Sequence, residues 1–128
     1  MGLDQCAFRV ANWDNMWGAV KTKDSRYRNP AQKIMHEWRK HPNLQGWMEN
    51  LWREKGGEGD FNCQKVELTE QDLLNLKSDV VNGSLPETTG FFYGSPKDDE
   101  YQLDDLLFIV EAINDIKHGY TIFYDSWW

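Results

Sequence analysis

No stretch of this sequence approaches the ~20 consecutive apolar residues that a membrane-spanning helix needs, so a helical span is not expected. The opening residues, MGLDQCAFRV, lack a basic segment followed by an apolar one and do not read as a secretory signal. There are only 2 cysteines, Cys6 and Cys63. Two are too few for a disulfide framework and suit the reduced thiols of a cytosol. Bases are short as well, 14 against 21 acids, for a net charge of −7. That balance argues against binding bulk nucleic acid or an anionic membrane surface. No glycine-rich dinucleotide or P-loop pattern, no nucleophile elbow and no kinase signature is present.

What is abundant is aromatic. Phe, Trp and Tyr make up 14% of 128 residues, with 7 tryptophans. That is more flat side chain than one small core needs, so some of it is expected at a groove or an interface. The length fits one domain over residues 1–128, large enough for a core without staples. Charge is unevenly placed. Residues 20–41 hold seven bases and two acids, whereas 42–128 hold six bases and 17 acids. A basic island in an acidic chain reads either as a solvated counterweight or as a site where Arg and Lys meet a phosphate or carboxylate.

Periodicity predicts an α+β fold, with a small, mainly antiparallel sheet of about three strands and three or four helices on one face. The strands are expected near 3–10, 61–68 and 120–125. A short helix is expected over Ala31–Lys40 and an amphipathic one over Pro42–Lys55, whose apolar residues are Leu44, Trp47, Met48, Leu51 and Trp52. A third runs from Thr69, an N-cap with Asp72 three positions on, to Gly83. The fourth starts among Asp98, Asp99 and Glu100, carries Leu103, Leu106, Leu107, Val110, Ile113 and Ile116, and ends at His118-Gly119. Residues 11–30 show no period and read as a long irregular segment, with Trp13, Met16 and Trp17 spaced for a turn of helix.

The candidate sites are few. His36, Glu37 and His41 evoke a zinc helix, but histidines five apart point roughly 140° apart on a helix, so surface or capping roles are expected and no metal site is assigned. Asp98–Glu100 with Asp104 and Asp105 lack calcium-loop spacing and read as a solvated helix start. The most suggestive group is Trp38-Arg39-Lys40, where a ring beside a guanidinium can hold a flat base and a phosphate together. Tyr93 and Ser95, in Gly90-Phe91-Phe92-Tyr93-Gly94-Ser95, are expected to close that site from a loop whose glycines let backbone approach a ligand. The competing reading places Trp38 and the loop rings in the core. No catalytic residue and no cofactor is assigned, and the reading leans away from an enzyme because three histidines offer few general bases.

Several blocks together resemble a family of small proteins found in phages and bacterial genomes. They are Met1-Gly2-Leu3-Asp4, Trp38-Arg39-Lys40 with Leu44-Gln45-Gly46-Trp47, Leu85-Pro86-Glu87-Thr88-Thr89-Gly90-Phe91-Phe92-Tyr93-Gly94-Ser95, Asp99-Glu100-Tyr101 and Tyr124-Asp125-Ser126-Trp127. Relatives sometimes carry the label phosphoglycerate kinase, which does not suit a chain this short. The resemblance implies a phage-type accessory protein of the bacterial host cytosol and supplies no catalytic residue. The expected function is a non-enzymatic binding module for a small anionic, nucleotide-like ligand. The alternatives are a protein-interaction module that inhibits a host protein, by acidic imitation of nucleic acid among other routes, or a self-assembling structural protein covering Trp127 and Trp128 in a homo-oligomer.

Overall fold

The computed structural model describes residues 2–11 and 32–128. Within them the order is β1 (Asp4–Ala11), β2 (Gln32–Arg39), α1 (Pro42–Glu54), β3 (Val66–Leu68), α2 (Glu70–Asn82), α3 (Asp98–Lys117) and β4 (Tyr120–Trp127). The strands form one antiparallel sheet in the order β2-β1-β4-β3. The fold is α+β, with helices packed on the sheet, as the periodicity predicts.

Two strand expectations need correction. Residues 32–39 are a strand and not a helix, so the sheet has four strands rather than three. Gln, Lys, Met and Glu favour a helix locally. That preference loses to a ladder with β1 running from Asp4↔Arg39 to Val10↔Gln32, with an irregularity between Ala7 and Phe8. Pairing of this kind is non-local and invisible to a local pattern. The expected strand at 61–68 is reduced to Val66–Leu68. Cys63 breaks it by adopting a left-handed φ of 59°, and its N–H donates to Ser126 O at 2.7 Å. The irregular segment and the Trp13–Trp17 turn lie outside the described residues.

Alternation along each strand sorts the two sheet faces. Ala7, Trp38, Val66, Leu68, Ile122 and Tyr124 face a core shared with Leu44 and Met48 of α1, Leu73 and Leu76 of α2, and Phe108, Ile109 and Ala112 of α3. On the other face Cys6, Phe8 and Val10 cluster with Phe123. Phe8 and Phe123 are direct register partners, with stacked rings 5.5 Å apart.

The helix ends follow their residues. Thr69 Oγ1 accepts from Asp72 N–H at 3.1 Å, and Asp72 Oδ2 accepts from Thr69 N–H at 3.0 Å, a complete capping box. Gly83 closes α2 in the left-handed conformation, at φ 66°. In α3 the buried face is not the apolar one expected. Asp105, Phe108, Ile109 and Ala112 are buried, while Leu103, Leu107 and Val110 are exposed. Leu106, Ile113 and Ile116 pack partly against the core.

Asp72 also receives the Lys55 ammonium at 2.6 Å. Burial pushes its carboxyl up, but the hydrogen bonds from Lys55 and Thr69 and the Lys55 charge outweigh that and hold it below the ordinary 3.8. A carboxyl lowered on folding contributes stability above its unfolded value and loses it as pH falls through the folded value. The expected result is therefore that Asp72→Asn destabilises measurably at pH 7 and has little effect near pH 2. Urea midpoints for both proteins across that range check it.

Candidate functional site

One end of the sheet gathers what the sequence separates. β2 ends at Arg39, and Lys40 turns the chain in a left-handed conformation at φ 53°. Lys40 N–H donates to Leu3 O at 2.8 Å, and Leu3 N–H donates to Phe92 O at 3.0 Å. The basic pair, the amino-terminal residues and the 90–95 loop are thus stitched side by side. Gly94, at φ 77°, lies along the Lys40 stem; a Cβ there would come within 3.3 Å of Lys40 Cδ. Gly2 is tighter. A Cβ on it would sit 2.9 Å from Lys40 Cε and 3.8 Å from both Lys40 Nζ and Arg39 Nη2. Two cationic heads therefore converge on the missing side chain of one glycine.

The loop is held in place by α1. A Cβ on Gly46 would overlap the Thr88 side chain, so glycine permits the close approach. Thr88 N–H donates to Asn43 Oδ1 at 2.9 Å. Tyr101 of α3 anchors the strand end: its hydroxyl donates to Arg39 O at 3.0 Å and accepts from Arg39 N–H at 3.3 Å.

Beneath the corner lies a polar network. Asp105 accepts from Trp38 Nε1 through Oδ1 and pairs with His41 Nε2 through Oδ2, each at 2.9 Å. His41 stacks on Tyr101 with ring centroids 4.9 Å apart. Gln5 clamps the His41 backbone, its Nε2 donating to His41 O at 3.0 Å and its Oε1 accepting from His41 N–H at 2.9 Å. The same Nε2 donates to the Tyr124 hydroxyl at 2.8 Å, which donates to Gln45 Oε1 at 2.6 Å. Burial drives the Tyr124 phenol well above its ordinary value.

Of the five expected site residues, Arg39 and Lys40 are at the surface corner and Ser95 is exposed beside Gly94. Trp38 is 3% exposed, its indole bonded to Asp105 and its ring packed edge-on against Phe108 at 5.2 Å. It has no free face for a ligand, which corrects the stacking role expected of it. Tyr93 is buried against Trp128. Burial first, then the Glu49 and Asp60 charges, raise its phenol against a lowering hydrogen bond with Gln45. The hollow that Arg39 borders, about 360 Å³, is shared with Asp4, Gln5, Glu37, Trp38, Tyr101 and Trp127, not with Tyr93 or Ser95.

Sequence reasoning missed three residues here. Gly2 signals nothing until Lys40 lies on it. His41 occupies the N-cap position of α1 without capping, and is buried instead. Asp105 is buried, not part of a solvated helix start. Phe91, by contrast, is 95% exposed, its ring edge-on to Phe92 at 4.9 Å. The bracketing glycines were the visible signal for that loop.

Among the described residues no cluster of three or more His, Cys, Asp or Glu could hold a metal ion, and no helix is long and apolar enough to cross a membrane. Both cysteines are free, Cys6 buried and Cys63 exposed. Burial, then the Asp125 and Glu37 charges, push the Cys6 thiol up to about 11, with Lys65 opposing. The thiolate is the nucleophile, so iodoacetamide at pH 8 is expected to alkylate Cys63 at least about tenfold faster than Cys6. Peptide mass spectrometry of the folded protein reads the ratio.

No family model, no curated protein and no solved structure matches the chain.

Proposed function

We propose that the chain is a binding module that captures a small anion at the corner formed by Gly2, Arg39, Lys40 and the 90–95 loop. The observation that carries this reading is the shared 3.8 Å distance of Arg39 Nη2 and Lys40 Nζ from the Cβ position of Gly2. A guanidinium supplies a fork for two oxygens and an ammonium supplies a point charge, the pair of donors that a phosphate or carboxylate takes. Among the described residues Lys40 has no carboxylate partner, and Arg39 has only Asp4, at 4.0 Å. The corner keeps positive charge to offer, while the acidic remainder of a chain at −7 repels long polyanions. The ligand is nucleotide-like: the stacking surface is Phe91, the exposed ring of the same loop, in place of Trp38. The setting is a bacterial cytosol and a phage-type accessory role, as the family resemblance implies.

Calorimetric titration with inorganic phosphate, ADP and a cyclic dinucleotide tests this. Hydrogen bonds to charged groups contribute about 1.5–3 kcal/mol each, so Arg39→Ala and Lys40→Ala are each expected to weaken binding about tenfold or more. Phe91→Ala is expected to weaken the nucleotides and leave phosphate unchanged. Heat from none of the three, or equal binding by the double variant, rejects the reading.

A second reading, a protein-interaction surface, is favoured by the exposure of Phe91 on the loop whose next residue bonds Leu3, since exposed aromatic rings make interface anchors. A protein partner that binds equally to the Arg39→Ala variant, with no anion bound by the wild type, would favour it.

A further inference from the structure

The outer face of α3 is apolar where the core does not use it. Leu103 is 68% exposed, Leu107 52% and Val110 61%. Their spacing of four and three places them in one stripe. The stripe is surplus to folding, because the opposite side of the same helix already supplies Phe108, Ile109 and Ala112 to the core. α2 widens the face. Gln102 Nε2 donates to Val80 O at 3.3 Å, tying the last turn of α2 to α3. The sequence neighbours of that bonded pair, Val81 and Leu103, are both exposed.

The flanks of the stripe carry one sign of charge. Asp99, Glu100 and Glu111 are exposed and Asp104 is half-buried. Among the described residues none of the four is in an ion pair. The first base of the helix is Lys117, in its last turn.

We propose that this face docks an amphipathic helix of a partner protein whose apolar stripe is flanked by lysine or arginine. A ridge of side chains at i, i+4 and i+7 is complemented by a second helix with the same period. Unpaired carboxylates beside it select basic flanks. A second copy of the chain is a poor occupant. A two-fold pairing of α3 with itself sets the same carboxylates against each other. The inference is independent of the anion corner, which uses none of these residues.

The probe is a synthetic 18-residue amphipathic helix of leucine and lysine, with a leucine–glutamate counterpart as control, added to the ¹⁵N-labelled full chain. The lysine peptide is expected to shift amide signals over residues 100–114 and to bind more weakly as salt rises. The glutamate peptide is expected to leave the spectrum unchanged. Leu103→Ser/Leu107→Ser, two exposed positions whose change leaves the folded spectrum intact, is expected to weaken binding at least tenfold. Glu100→Gln/Glu111→Gln is expected to weaken it severalfold. The proposal is overturned by no binding, by equal binding by the serine double variant (charge alone), or by shifts centred elsewhere. Sedimentation of the wild type as a dimer that Leu107→Ser disperses also overturns it, in favour of self-association.

Discussion

Asp105→Ala is expected to destabilise the protein by about 3–5 kcal/mol, the usual loss when one partner of a buried polar pair is deleted. The side chain is 1% exposed, and both its oxygens are used, one by Trp38 Nε1 and one by His41 Nε2. Alanine leaves an indole N–H and an imidazole nitrogen inside the core, where an unmade hydrogen bond costs about 1–3 kcal/mol per group. It also leaves a cavity. For a chain of this size the melting temperature is expected to fall by roughly 10–20 °C. Asp105→Asn is expected to lose less, because its carbonyl can still accept from Trp38. Asp99→Asn, on the exposed side of the same helix, is expected to stay within about 0.5 kcal/mol. Denaturant titration of the three variants measures the ranking. Asp105→Ala falling in line with Asp99→Asn would contradict the burial and bonding described above. His41 directly follows Lys40 in the chain, and its backbone is clamped by Gln5. Loss of Asp105 is expected to loosen the corner proposed to take an anion as well as the core.

Phe108→Ala is expected to cost about 3–5 kcal/mol, the usual range for deleting a buried ring. Phe108 is 1% exposed and packs against Trp38 edge-on, with His36 also near at 6.2 Å. The two rings carry contact between α3 and β2, so the cavity opens where the helix layer meets the sheet. Phe108→Leu is expected to recover roughly half the loss, since it refills part of the volume. The check is again the denaturant midpoint, with tryptophan emission as the probe because Trp38 is adjacent. A shift under about 1 kcal/mol for Phe108→Ala would show that the ring lies outside the core.

Sequence signals are legible where the physics is local. Thr69, Asp72 and Gly83 bound α2 because a capping box and a left-handed glycine act within a turn of their own residues. Leu44, Met48, Leu51 and Trp52 are buried on α1 as their spacing predicts. The strand at 32–39 was not legible, because its residues prefer a helix and its partner lies some thirty positions upstream. α3 misled for a different reason. It is apolar on two sides, and composition alone cannot say that Phe108 and Ile109 face inward while Leu103 and Leu107 do not. In the candidate site, Arg39 and Lys40 were legible as charge, and the loop as a glycine-bracketed cluster. The burial of Trp38 is not legible, because its partner Asp105 is 67 residues away and reads as a surface acid in sequence.

The proposed site has Arg39 and Lys40 act together on one anion over Gly2. A ¹⁵N–¹H titration of the full chain with ADP reads it most directly. Saturable shifts are expected at Gly2, Lys40 and Gly94, abolished together by Lys40→Ala while the rest of the spectrum stays folded. Shifts that never saturate, or that spread evenly over the protein and survive Lys40→Ala, would contradict it.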